Sequence, residues 1–133
     1  MSVRLRHEWS FARISATVEI VRLFDRLFTR PFLSPESMSA MLKTVPVPGD
    51  HPPDVRAGDG LGVMIDLSSR YGLVAGHAGG GPGYATAVFH FPDVTGHRVT
   101  VAAMVNRDGR DLATEIVVHL VDLIAQQLRD NDA

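Results

Sequence analysis

No cysteine occurs in the 133 residues. That excludes a disulfide framework and any thiolate metal site. Charge of either sign is scarcely in excess: the formal net charge is −2 and the pI is near 6.3. A nucleic-acid-binding domain needs a basic footprint, and none is present. No run of like charges suggests a membrane-surface patch. No stretch reaches the roughly 18 consecutive apolar residues of a membrane span. The opening "MSVRLRHEWSFARIS" lacks the apolar core of a signal peptide, so a cytoplasmic location is expected. There is no internal repeat and no sign of a second domain. What remains is ordinary globular material: 45% of residues are hydrophobic, and the length suits one domain over 1–133.

The pattern along the chain predicts an α+β layout. "SATVEIVRLFDRLFTR", 15–30, reads as a helix. Val18, Val21, Phe24 and Phe28 recur at helical spacing, with Ser15 as N-cap and Pro31 as the stop. In "LSPESMSAMLKTV", Ser34 caps, Pro35 takes the first helical position and Glu36 sits in the first turn. That second helix is expected to end near Lys43. Pro46 to Gly60, "PVPGDHPPDVRAGDG", holds four prolines and three glycines and is expected to be loop throughout. From Leu61 the period changes to two. "LGVMID", "YGLVAG", "YATAVFHF" and "HRVTVAAMV" read as about four antiparallel strands, with "PDVTG" as the turn between the last two. The closing helix is expected to bury a stripe of Leu112, Ile116, Leu120, Leu123, Ile124 and Leu128 against one face of the sheet. Glu115, His119, Asp122, Gln126 and Arg129 fall on its other face.

The chemically suggestive stretch is "GHAGGGPGYATAVFHF", Gly76 to Phe91. Four of its first six residues are glycine, and a histidine sits among them. Glycine permits positive φ and close backbone approach. A strand border with exposed N–H groups beside a small corner can accept an anionic oxygen. It is no phosphate loop, since it lacks the Lys-Ser/Thr ending and leads into a strand. On composition alone it is equally a tight loop between strands, and His77 is open to positioning a substrate, shuttling a proton or neither. His90 and His97 flank one hairpin, but two histidines without a carboxylate make a poor metal site, so no metal and no cofactor is expected.

The ordered series "LSPESMSAMLKTV", "GLGVMID", "GHAGGGPGYATAVFHFPDVTGHRVTVAAMVNRDG" and a final amphipathic helix resembles the C-terminal part of the serine β-lactamase-related family. That family includes class C β-lactamases, D-alanyl-D-alanine carboxypeptidases and related esterases. "SATVEIVRLFDRLF" looks like the helix that follows the family's small-residue "S-T" turn, so the resemblance spans nearly all of 14–128. His77, Ala78 and Gly79 are similar to the third-motif triplet on the strand edging the active site. The resemblance implies that His77 faces the pocket and tunes protonation. It implies that the backbone N–H of Gly80 contributes to an oxyanion hole, that Ala78, Gly79 and Tyr84 contact substrate, and that Pro82 and Gly83 shape the turn.

The family's nucleophile sits in Ser-x-x-Lys, and its tyrosine in a Tyr-x-Asn-type motif. Neither is present. No serine has lysine three residues on; after Ser39 the third residue is Leu42. Tyr71 and Tyr84 are followed by Gly-Leu and Ala-Thr. The expectation is a partial β-lactamase-related domain, a C-terminal fragment of the hydrolase, inactive alone. Its partners would be a carbonyl substrate (ester, amide or β-lactam) and either a second copy or a complementary N-terminal chain. One alternative is a non-catalytic binding or assembly module using the His77 corner as a ligand notch. Another is a complete enzyme in which His77 and a carboxylate do simple acid–base work.

Overall fold

The structure is a computed structural model that describes residues 17–46, 57–67, 69–109 and 111–132. The first helix, α1, spans Thr17–Thr29, with Glu19 in its first turn and Arg26 in its last. The Thr29 hydroxyl donates to the Asp25 carbonyl at 2.6 Å, and Pro31 prevents continuation. Ser15, its expected cap, lies outside the described residues. Helix α2, Pro35–Met41, starts as its sequence signature requires. Ser34 is extended (φ −62°, ψ 155°) and its hydroxyl accepts the Ser37 N–H at 3.2 Å. The 20-residue α3, Leu112–Asn131, closes the fold.

Among the described residues, an antiparallel meander of six strands in sequential order lies between α2 and α3. They are β1 Val45–Pro46, β2 Ala57–Asp59, β3 Met64–Asp66, β4 Val74–Gly81, β5 Tyr84–Val94 and β6 His97–Val105. The α+β class and the antiparallel sheet agree with the sequence pattern; the strand count does not. The two extra strands, β1 and β2, border the proline-rich stretch expected to be loop from Pro46 to Gly60. Pro46 is tolerated because β1, among the described residues, is an edge strand paired with β2 alone. Gly58 permits a close approach: a Cβ there would lie 2.9 Å from Thr44 Cγ2.

Two further boundaries moved. The glycine-rich stretch is no corner: Gly76 to Gly81 continues β4 as regular strand, paired with β5 up to Gly81↔Tyr84. "PDVTG" is likewise mostly strand. A bulge between Phe91 and Val94 absorbs Pro92 and Asp93, so that Phe91 and Val94 enter the same core. The turn is Thr95-Gly96 alone, with φ of 51° and 83°. Asp93 Oδ1 accepts the Gly96 N–H at 2.8 Å and braces it.

Helices cover both faces of the sheet. On the outer face, α3 packs on β5 and β6 through Ala113, Val117, Val121 and Ala125, against Ala85, Ala87, Phe91, Val94, Val101 and Ala103. This corrects the expected stripe: Leu120 and Leu123 are exposed, and the smaller residues form the contact. Alanine and valine let the helix lie close to a sheet row that is itself largely alanine and valine. On the inner face, Phe28 of α1 and Met41 and Leu42 near the end of α2 pack on Val63, Ile65 and Ala75. No residue of α1 or α2 is buried.

Candidate functional site

The site is built on the β4–β5 hairpin. Its turn, Gly81-Pro82-Gly83-Tyr84, has proline at the second position and glycine with φ 81° at the third, the type II arrangement. The Gly83 N–H donates to Asp108 Oδ1 at 2.6 Å, from the corner between β6 and α3. The Tyr84 ring lies over Gly81, where an added Cβ would come within 2.8 Å of its Cε1.

Side chains alternate across a strand, so register decides which of these residues share a face. Ala75, His77, Gly79 and Gly81 stand opposite His90, Val88, Thr86 and Tyr84 on β5, and Thr100, Ala102 and Met104 continue three of these rows on β6. His90 carries Phe28 of α1, so all of these belong to the inner face. His77 is exposed there, mid-strand. Beside it, Gly79 leaves a floor without a side chain, bordered by Thr86, Met104 and the Tyr84 ring that covers Gly81. The Thr86 hydroxyl donates to the Gly79 carbonyl at 3.4 Å. Met104 is 41% exposed. Ala78 lies on the outer face, packed against the core beneath α3, so its methyl does not join His77. His77, Gly79 and Tyr84 are thus brought together; Ala78 and Gly80 belong to the same strand segment through their backbones alone.

The segment also has an open side. β3 pairs with β4 only through Val74, Ala75 and Gly76. From His77 to Gly81, β4 has a strand partner on one side only among the described residues, namely β5. Antiparallel ladders alternate, one residue bonding across the ladder and the next turning its N–H and C=O the other way. Alternate residues of this segment therefore direct amides toward the open side.

The remaining histidines are separate from this surface. His90 is buried. Its ring stacks on Phe28 with centroids 5.0 Å apart, and its Nδ1 is 2.8 Å from Thr100 Oγ1. Burial pushes its pKa below the usual histidine value; Arg98 adds to this, while Asp25 opposes it. His97 is exposed, with Nδ1 3.1 Å from the Thr95 carbonyl. Alternation along β6 sets it on the face opposite Thr100, away from His90. Among the described residues no cluster of three or more histidine or carboxylate side chains is arranged to hold a metal ion.

A second polar group lies on the outer side, unsignalled by any motif. Tyr71 donates from its hydroxyl to Asp122 Oδ1 at 2.5 Å, Arg70 pairs with Oδ2, and the Arg70 guanidinium lies 5.3 Å from the Tyr71 ring centroid. Burial and the Asp122 carboxylate raise the Tyr71 pKa, with Arg70 opposing. These residues line an open cleft with Asp93, Gln126 and Arg129. Both carboxylate oxygens of Asp122 are already engaged, so the group reads as a clamp between the β3–β4 loop and α3.

Sequence reasoning missed Thr86 and Met104, and it read Asp108 only as a residue of the strand-to-helix corner or a cap of α3, whose N-cap is Asp111. The two-residue period of their strands carries the signal for Thr86 and Met104, but only a known register converts it into neighbourhood with His77. The link from Asp108 to Gly83 spans 25 residues and has no local signature. Compared with protein-family models and with curated protein sequences, the chain matches none.

Proposed function

We propose that this chain supplies one wall of the active site of a β-lactamase-related serine hydrolase, with the nucleophile contributed from outside the chain's own residues. The observation that carries the reading is the His77–Gly81 segment. It is a strand with one side free of a strand partner among the described residues, and it carries an exposed histidine beside a glycine floor on the inner face. A carbonyl substrate lying along that side would meet backbone donors where negative charge develops. With the usual bond from the Tyr84 N–H to the Gly81 carbonyl across the turn, alternation assigns Gly79 and His77 to the ladder with β5. It leaves Ala78 and Gly80 facing outward. The Gly80 N–H is then the oxyanion donor, His77 beside it binds substrate and tunes proton transfer, and Tyr84 and Gly79 shape the pocket.

Acyl transfer also needs an activated nucleophile. The single lysine, Lys43, follows α2, and no serine is three residues before it. Among the described residues, the aliphatic hydroxyl beside the glycine floor is that of Thr86, and the strands β4 to β6 around it contain no lysine. Donors alone account for a modest part of such a rate. The isolated chain is therefore expected to give no covalent adduct with a fluorescent penicillin or an activated ester, read by intact mass. Stable acylation, or turnover abolished by His77→Ala, overturns the statement that the nucleophile lies elsewhere. Adding a polypeptide with Ser-x-x-Lys and Tyr-x-Asn motifs is expected to produce the adduct. The exposed His77 and Met104 on the inner face favour a second reading, a non-catalytic assembly module. Tight binding of that polypeptide with no adduct in the mixture would select it.

A further inference from the structure

We propose that Asp108 is a positioning residue for the His77–Gly81 segment, acting through the Gly83 amide. The inference rests on the reading of that segment as a site wall and concerns how the wall is held still. Five of the eight residues from Gly76 to Gly83 are glycine. Glycine loses more backbone freedom on ordering than any other residue, so such a strand is prone to fray. β5 restrains one side of it. On the other, β3 ends its pairing at Gly76. A long-range bond ties the tip to the corner before α3, from the Gly83 N–H to Asp108 Oδ1 at 2.6 Å. Its acceptor is a carboxylate, the class of acceptor that makes stronger bonds to backbone N–H groups than a neutral oxygen does.

Asp108 sits in the short connection from β6 to α3. It follows the end of β6, and the next residue, Gly109, has φ of 131° and offers its carbonyl to the Leu112 N–H at 3.1 Å, the first residue of α3. The carboxylate thus transmits the position of the most deeply packed helix to the tip of the glycine hairpin. Gly80 is three residues from Gly83. Loosening the tip would therefore disorder the Gly80 amide and the His77 ring before it disturbed the core.

The test is amide hydrogen exchange by NMR on the whole chain, with benzoate as the oxyanion probe. In Asp108→Ala, exchange at Gly79 and Gly81 is expected to rise roughly tenfold, the scale of one lost charge-assisted bond. Exchange in β6 and α3 is expected to stay unchanged. The benzoate-induced shift of the Gly80 amide should then require roughly tenfold more benzoate. Asp108→Asn keeps an oxygen acceptor and is expected to remain within about threefold of the parent. Unchanged exchange at Gly79 and Gly81 in Asp108→Ala overturns the proposal. So does a rise spread evenly over β6 and α3, which marks ordinary destabilisation. If Gly80 of the parent chain ignores benzoate while exchange responds as expected, the site reading fails and the clamp stands.

Discussion

The glycines of the hairpin are not equivalent, although they sit within six residues. A Cβ at Gly76 would lie 2.1 Å from the Val88 carbonyl oxygen and 2.7 Å from Phe89 Cα, both backbone atoms that cannot move aside. At Gly79 the nearest atom would be Thr86 Oγ1 at 3.6 Å, an ordinary contact. Gly76→Ala is therefore expected to destabilise by more than about 2 kcal/mol. Gly79→Ala is expected to be neutral or to stabilise by up to about 1 kcal/mol, because alanine loses less entropy in a strand. Chemical denaturation of the two variants checks this. His90 makes a pH prediction at the same scale. Its neutral ring is the form that fits against Phe28 and Thr100, and burial depresses its folded pKa below the ordinary 6.5. Its contribution is thus present above pH 6.5 and is lost as pH falls through the folded value. The melting temperature of the parent chain should drop more steeply than that of His90→Gln between pH 7 and 5.

Among elements, α3 illustrates how far a helical pattern can mislead about which side faces inward. Its leucines and isoleucines form a plausible stripe, yet Ala113, Val117, Val121 and Ala125 are the buried set, with Ile116, Ile124 and Leu128 at its margins. Spacing predicts a helix from either stripe; only the small-residue outer face of β5 and β6 decides between them. Val121→Ala is expected to cost roughly 2 kcal/mol by lost burial and a residual cavity. Leu123→Ala, removing the larger side chain, should cost less than about 0.5 kcal/mol. Comparing their denaturant midpoints tests the assignment. The same helix is tied to the β3–β4 loop by Asp122. Tyr71→Phe removes a neutral donor from that clamp, and an effect of about 1 kcal/mol is expected. Because the Tyr71 pKa is raised, its contribution is complete below pH 10 and is lost as pH rises through the folded value. The parent and the Phe variant should therefore converge in stability at alkaline pH.

For the whole molecule, the asymmetry between the two sheet faces matters most. The outer face is closed by a 20-residue helix with four fully buried residues, whereas the inner face carries α1 and α2 with none. Val18 and Leu23 of α1 and Met104 of β6 remain exposed. If the inner face is the interface that the proposed function calls for, Met104→Glu is expected to weaken binding of a Ser-x-x-Lys polypeptide while leaving the melting temperature within about 2 °C, as for a surface change. By itself the sequence determined the α+β class, α1, the Ser34-Pro35 start of α2, the long strands β5 and β6, and α3. Those rest on local rules: capping, proline stops and hydrophobic period. It determined too that Ser-x-x-Lys is missing. Only the tertiary structure decided that the glycines run on as strand and that β1 and β2 extend the sheet. It alone set Ala78 back to back with His77, and joined Asp108 to Gly83. These depend on register and on pairing between distant segments, and no interaction among near neighbours in the chain encodes them.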